Sequence, residues 1–146
     1  MNVLFSSKAP KQSRQALEEL LFFNPRQSRV REGIVHSLQK FGHPRLEETG
    51  DNLSVRVGDL EAQTLFAYDR ERRGHDPVGV VVFLRTSPAE MAIMHVAVHP
   101  DYALRGKKAG TGLGVVLVEK VKEIAAQIAG VEKLIFFYRN EVVIRL

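Results

Sequence analysis

The chain has 146 residues, 45% of them hydrophobic and 26% charged, and its 21 Lys and Arg outnumber its 17 Asp and Glu to give a net charge of +4. That length fits one domain able to bury its own core, and the balance excludes a disordered chain. With no cysteine, disulfides, thiolate catalysis and Cys-based zinc sites are excluded.

The only apolar run near the start, Val3 to Phe5, is too short for a signal-peptide core, and no stretch reaches the length of a membrane span. A cytoplasmic protein without a membrane partner is the expectation. Basic residues cluster at Arg26/Arg29/Arg31, Arg70/Arg72/Arg73 and Arg105/Lys107/Lys108. A modest positive excess attracts nucleic acid or an anionic cofactor alike. The first cluster reads as a solvated helix face.

In chain order, Met1 to Ser6 reads as a short strand and Lys11 to Phe23 as a helix, with Leu17, Leu20 and Leu21 on one stripe. Asn24-Pro25-Arg26-Gln27 is a second helix start, with Asn as cap, Pro at the first helical position and Gln three residues on. Val30, Ile34, Val35, Leu38 and Phe41 supply that helix's apolar face, and Gly42 and Pro44 end it. From Leu46 to Arg85 the pattern turns to strands. Asn52 to Val57 alternates, Glu61 to Tyr68 follows, and Asp69 to Pro77 is a polar turn. Val78 to Leu84 is nearly continuous in apolar β-formers, the mark of a strand buried on both faces. Ser87-Pro88 turns the chain into a strand over Glu90 to Val98. Short connections of this kind make an antiparallel meander.

The wiring then changes. His99 to Lys108 is a loop, and Gly110 to Ala129 is a long helix with Leu113, Val116, Leu117, Val121, Ile124 and Ile128 as its buried stripe and Gly130 as C-terminal cap. Lys133 to Tyr138 is another strand. A strand, a helix and a strand in succession predict a parallel crossover. Arg139-Asn140 is a candidate turn, and Val142 to Leu146 a final edge strand able to pair with another subunit. The fold class is α+β, one domain over residues 1–146 with a mixed sheet.

The stretch with chemical content is Ala109-Gly110-Thr111-Gly112-Leu113-Gly114. Alternating glycines at a helix start leave main-chain amides open to approach, and those unpaired donors with the helix dipole favour an anion. Arg105, Lys107 and Lys108 add positive charge just upstream. The segment reads as a diphosphate cradle. It is not a Rossmann fingerprint, whose Gly-x-Gly-x-x-Gly follows a first strand directly, nor a Walker A loop, which needs Gly-Lys-Ser/Thr.

Val98-His99-Pro100-Asp101-Tyr102, with Ala109 to Gly114 and Leu117 after it, resembles the GNAT superfamily of acetyl-CoA-dependent N-acetyltransferases. The likeness extends over the Leu65 to Val98 meander. It departs at Ala109, where the family carries Arg or Gln, in a loop lengthened near Ala103 to Lys108, and in the eight residues after Tyr138, which imply an atypical, shortened C-terminus. The resemblance implies a GNAT-like fold, acetyl-CoA as the coenzyme and an amine acceptor, small molecule or protein. Its diphosphate would rest on the amides of Gly110, Thr111, Gly112, Leu113 and Gly114, with Arg105 or Lys107 supplying charge. Its pantetheine arm would pair with the main chain of Val96 and Val98.

His95 is the ionisable residue nearest the implied reaction centre, and imidazole ordinarily titrates near neutrality. It reads either as a base or as a strand histidine facing a helix or solvent. Tyr138 either donates a proton to the departing thiolate or simply closes an apolar run. No pair of histidines has ligand spacing with a carboxylate, so no metal is inferred. Beside the transferase stand two rivals: a catalytically silent acyl-CoA-binding sensor or partner module, and an RNA-associated domain. The RNA reading ranks last because the basic residues lack interleaved aromatics, which disfavours nucleic acid as a partner. A homodimer is compatible with the terminal strand.

Overall fold

Alternation works as the pattern requires in Asn52–Val57. Leu53, Val55 and Val57 are buried while the residues between them are half-exposed. The computed structural model describes residues 2–22, 44–72, 74–102, 112–137 and 141–146. Its strands are β1 (Val3–Ser6), β2 (Pro44–Thr49), β3 (Asn52–Val57), β4 (Leu60–Asp69), β5 (Gly79–Ser87), β6 (Glu90–Val98), β7 (Lys133–Phe137) and β8 (Glu141–Arg145). The helices are α1 (Arg14–Phe22) and α2 (Leu113–Gln127), with single 3-10 turns at Lys11–Ser13 and Pro100–Tyr102.

The strands form one sheet in the order β2-β3-β4-β5-β6-β7-β8, and β1 pairs with the far half of β4. Neighbours are antiparallel except β6 and β7, which run parallel. The predicted meander and crossover are therefore both present, with α2 making the crossover. β2 is an addition: the sequence turns to strand patterning at Leu46, but its first regular alternation begins at Asn52. Charged Arg45, Glu47 and Glu48 hide it from a hydrophobicity pattern, and its six-pair ladder with β3 holds it in place. The helix expected over 25–41 and the turn at 139–140 lie outside the described residues.

β5 carries six consecutive buried residues, Gly79 to Leu84. Their side chains feed two cores on opposite faces of the sheet. Val80, Val82 and Leu84 pack with Leu17, Leu20 and Leu21 of α1. Val81 and Phe83 pack with Leu113, Leu117, Val121 and Ala125 of α2. Arg85 Nη2 reaches past the end of α2 to the Ala129 carbonyl (3.2 Å), a cation where the helix dipole is negative.

Candidate functional site

The site begins at a close approach. A Cβ built on Gly79 would lie 3.0 Å from Leu117 Cδ1 and 3.3 Å from Leu113 Cδ2, so glycine here lets the start of α2 settle closely onto β5. The same turn leans on β6, because a Cβ on Gly114 would stand 3.7 Å from Val98 Cγ2. Gly112 precedes the helix as its N-cap, with φ +58, and contributes no side-chain cap. Its carbonyl accepts the Val116 N–H at 3.0 Å, the first bond of the helix. Among the described residues, a Cβ on Gly112 would meet nothing within 4 Å. A helix N-terminus carries main-chain amides without partners inside the helix, and none of the described side chains caps this one.

Beside the mouth of α2, the described ladder between β6 and β7 ends before β6 does. Their parallel register runs from Glu90↔Lys133 to Ile93↔Phe136 and stops, while β6 stays on β5 as far as Gly79↔Val98. A bulge sits where that ladder ends: His95 faces Val82 and Ile93 faces Phe83, leaving Met94 as the extra residue. Bulges bend a strand and re-aim its side chains. This one puts His95 on the α1 side of the sheet, where its cross-strand partner Val82 belongs to the α1 core.

The His95 residue is half-buried, and its buried Nε2 has no hydrogen-bond partner among the described residues. Burial lowers its pKa to about 4, against a smaller opposing effect from a hydrogen bond with the Leu21 backbone. The near-neutral titration expected of an ordinary imidazole is corrected accordingly: desolvation keeps this ring neutral across the physiological range.

A polar cluster anchors the far end of β6. Tyr102, 3% exposed, donates its hydroxyl to Asp69 Oδ2 at the end of β4, and Asp69 is itself 6% exposed. Asp69 Oδ1 accepts the Glu71 N–H (3.0 Å). Burial and the neighbouring Asp69 carboxylate hold the Tyr102 hydroxyl above the usual phenol range. Arg72 lies over the Tyr102 ring (5.9 Å) and donates to Asp101 Oδ2 (3.1 Å). His99 Nδ1 accepts the Asp101 N–H at 3.1 Å. Burial, and then the adjacent Arg72 charge, depress the His99 pKa.

Of the residues singled out in the sequence, Val96, Val98, Gly112, Leu113 and Gly114 converge beyond the end of that ladder, where α2 begins. His95 lies one residue past the bulge on the other face. Leu113 combines an amide in the first turn with a side chain fully buried in the core. Arg105, Lys107, Gly110, Thr111 and Tyr138 lie outside the described residues. The sequence reading missed Gly79 and Asp69. A glycine heading an otherwise Val-rich strand was the available signal for the first, since glycine in a strand marks close backbone approach. Asp69 was assigned to a turn, and only the fold brings it to Tyr102.

Among the described residues no group of three or more His, Asp or Glu side chains is placed to hold a metal ion. None of their helices is long and apolar enough to cross a membrane.

No protein-family model matches the chain, and no curated protein matches it. Solved structures do. A putative acetyltransferase of the GNAT family from Desulfovibrio desulfuricans has a TM-score of 0.50 at 18% identity, over 92% of this chain and 72% of that one. The loading GNATL domain of CurA from Lyngbya majuscula has a TM-score of 0.50 at 15% identity, over 93% of this chain and 64% of that one. The IAA acetyltransferase from Bacillus cereus is 25% identical with a TM-score of 0.41, over 92% of this chain and 65% of that one. The chain therefore spans just under two-thirds of the length of the Bacillus and Lyngbya chains.

Proposed function

For a chain that has the fold of the GNAT acetyltransferases, we propose the function of an acyl-CoA-dependent N-acyltransferase that acetylates a primary amine of a small molecule or protein in the cytoplasm. One observation carries this reading: among the described residues the β6–β7 ladder ends at Ile93↔Phe136 while β6 continues to Val98, beside a helix mouth that is led by Gly112 and leans on Val98. A strand that runs on past its ladder accepts an extended arm through main-chain hydrogen bonds. An uncapped helix N-terminus at its end accepts phosphate.

Acetyl-CoA, when bound, supplies an acyl group activated as a thioester. The space at Gly112, open among the described residues, suits it, because a side chain there would occupy the space assigned to a phosphate. The amides of Gly110, Thr111, Gly112, Leu113 and Gly114 hold the diphosphate in this reading, with charge from Arg105 and Lys107. The main chain of Val96 and Val98 holds the pantetheine arm. His95 takes the proton of the acceptor nitrogen at Nε2. An imidazole with a pKa of about 4 is too weak to deprotonate an alkylammonium of pKa about 10.4, so the amine must arrive neutral. Tyr138 is assigned as proton donor to the departing sulfur.

The low basicity of His95 also favours a second reading, an acyl-CoA-binding module without turnover. Acetyl-CoA at a hundred times its dissociation constant stabilises a folded protein by about 2.7 kcal/mol, worth about 9 °C in Tm for a chain of this length. Gly112→Ala should lose that shift, at a backbone cost of about 1–2 kcal/mol for holding alanine in the left-handed region that glycine adopts freely. A wild-type Tm unmoved by millimolar acetyl-CoA refutes both readings. Release of free CoA with a panel of amines then separates enzyme from module, and undiminished turnover in His95→Ala removes the role given to that ring.

A further inference from the structure

Just past β6 stands an imidazole with a donor beside each of its nitrogens. His99 continues the β6 ladder, its N–H donating to the Val78 carbonyl at 2.8 Å. In its ring, Nδ1 accepts the Asp101 N–H at 3.1 Å, and Nε2 stands 3.3 Å from Arg72 Nη2. A main-chain N–H and a guanidinium only donate, whereas a neutral imidazole accepts at one nitrogen alone.

The main-chain contact decides which nitrogen that is. The Asp101 N–H is held two residues away by the Pro100–Tyr102 turn, while Arg72 is a long side chain, 36% exposed. Asp101 Oδ2, 3.8 Å from Nδ1, is too far to take a proton from it. The depressed pKa of the ring keeps it neutral at neutral pH. Its proton is therefore on Nε2, and Nε2–H and Arg72 Nη2–H are two donors side by side.

The nearby carboxylates are engaged elsewhere. Asp101 Oδ2 accepts from Arg72 Nη1 (3.1 Å), and Asp69 accepts the Tyr102 hydroxyl. Glu19 of α1 also acts on His99, but it is exposed, where water and salt screen its charge. That influence places His99 on the α1 side of the sheet. Alternation along the strand agrees, since Ala97 belongs to the α1-side core and His95 precedes it by two. The two donors thus share a face with the ring assigned to the acceptor nitrogen.

We propose that Arg72 Nη2 and His99 Nε2 together seat a carboxylate carried by the acceptor amine. An oxygen within reach of both nitrogens separates the facing donors, and its bond to the guanidinium is charge-assisted. The acceptor is then an amino acid or another amine bearing a carboxylate, not a bare alkylamine. Naming the acceptor rests on the transferase reading; the seat itself does not.

Nitrogen-15 NMR of the histidines reads which ring nitrogen of His99 carries the proton, and Nε2 is expected. Sodium acetate, compared with sodium chloride at equal ionic strength, should move that resonance in the wild type and not in Arg72→Gln. A proton on Nδ1, or acetate acting no differently from chloride, overturns the seat. In the CoA-release assay each of a panel of amino acids is paired with its carboxamide. The ratio of acid to amide KM should rise about tenfold in Arg72→Gln, the scale of one hydrogen bond to a charged group. It should rise in His99→Phe as well, and the basicity of each amine cancels in that comparison. A ratio unmoved by either variant overturns the assignment to the acceptor. An acetate-specific shift without CoA release from any amine keeps the seat but removes the transferase reading, and the acceptor with it.

Discussion

Replacing Tyr102 with Phe removes one oxygen from a buried site and little else. The ring stays in the α2-side core, and the Arg72 guanidinium, 5.9 Å from the ring centre, still meets an aromatic face. What disappears is the bond to Asp69 Oδ2, together with the hydroxyl's weaker contact with the Arg72 guanidinium. A hydrogen bond to a charged group contributes about 1.5–3 kcal/mol. Unfolding entropy near 60 °C is about 2.1 cal/mol/K per residue, so for 146 residues each degree of Tm corresponds to about 0.3 kcal/mol. Tyr102→Phe should therefore lower Tm by about 5–10 °C at neutral pH, read by circular dichroism or calorimetry. Asp69→Asn measured alone and together with Tyr102→Phe completes a double-mutant cycle, and the two losses should be coupled rather than additive. A fall of less than about 2 °C, or full additivity, would refute the reasoning that this bond fastens the end of β4 to the turn after β6.

Two further outcomes follow from packing and protonation. Gly79→Ala should cost about 1–3 kcal/mol by overpacking, because the new methyl lies 3.0 Å from Leu117 Cδ1. Chemical denaturation measures it, Leu117→Val in the same chain should recover part of the loss, and an unchanged midpoint in Gly79→Ala would deny the close approach. The pH dependence of stability carries the mark of His95. Its folded pKa of about 4 lies below the ordinary 6.5, so between those values the unfolded chain binds more protons. Stability is then fully present above about pH 6.5 and is lost as pH falls toward 4, by roughly 3 kcal/mol. Urea midpoints across that window should show a flatter slope in His95→Gln. An identical slope in the two proteins would mean that the ring is not held neutral by burial.

The fold was legible where side-chain period decides structure. Val80 to Leu84 declare a strand covered on both faces by their unbroken apolarity, and Leu113, Leu117 and Val121 declare the inner stripe of α2. β2 was not legible as a strand, because Arg45, Glu47 and Glu48 sit on an edge where pairing with β3, not burial, fixes the conformation. At the site, the glycines at 112 and 114 were visible as candidates, but the basis for their spacing was not. Gly112 needs a left-handed backbone, whereas Gly114 lies close against Val98. The bulge at Met94 was invisible, since it arises from register against β5 and leaves no mark in hydrophobic alternation. For the same reason His95 looked like an ordinary titrating imidazole: its environment is set by that bulge and by α1, seventy-odd positions earlier in the chain.

β5 has a consequence for how the molecule comes apart. Odd and even positions of a single strand serve as wall to both hydrophobic layers, so neither layer can melt while the other keeps its lining intact. The main-chain amides of Val80 to Leu84 should then exchange with solvent only in whole-molecule opening events, and the α1 and α2 sides should share one cooperative transition.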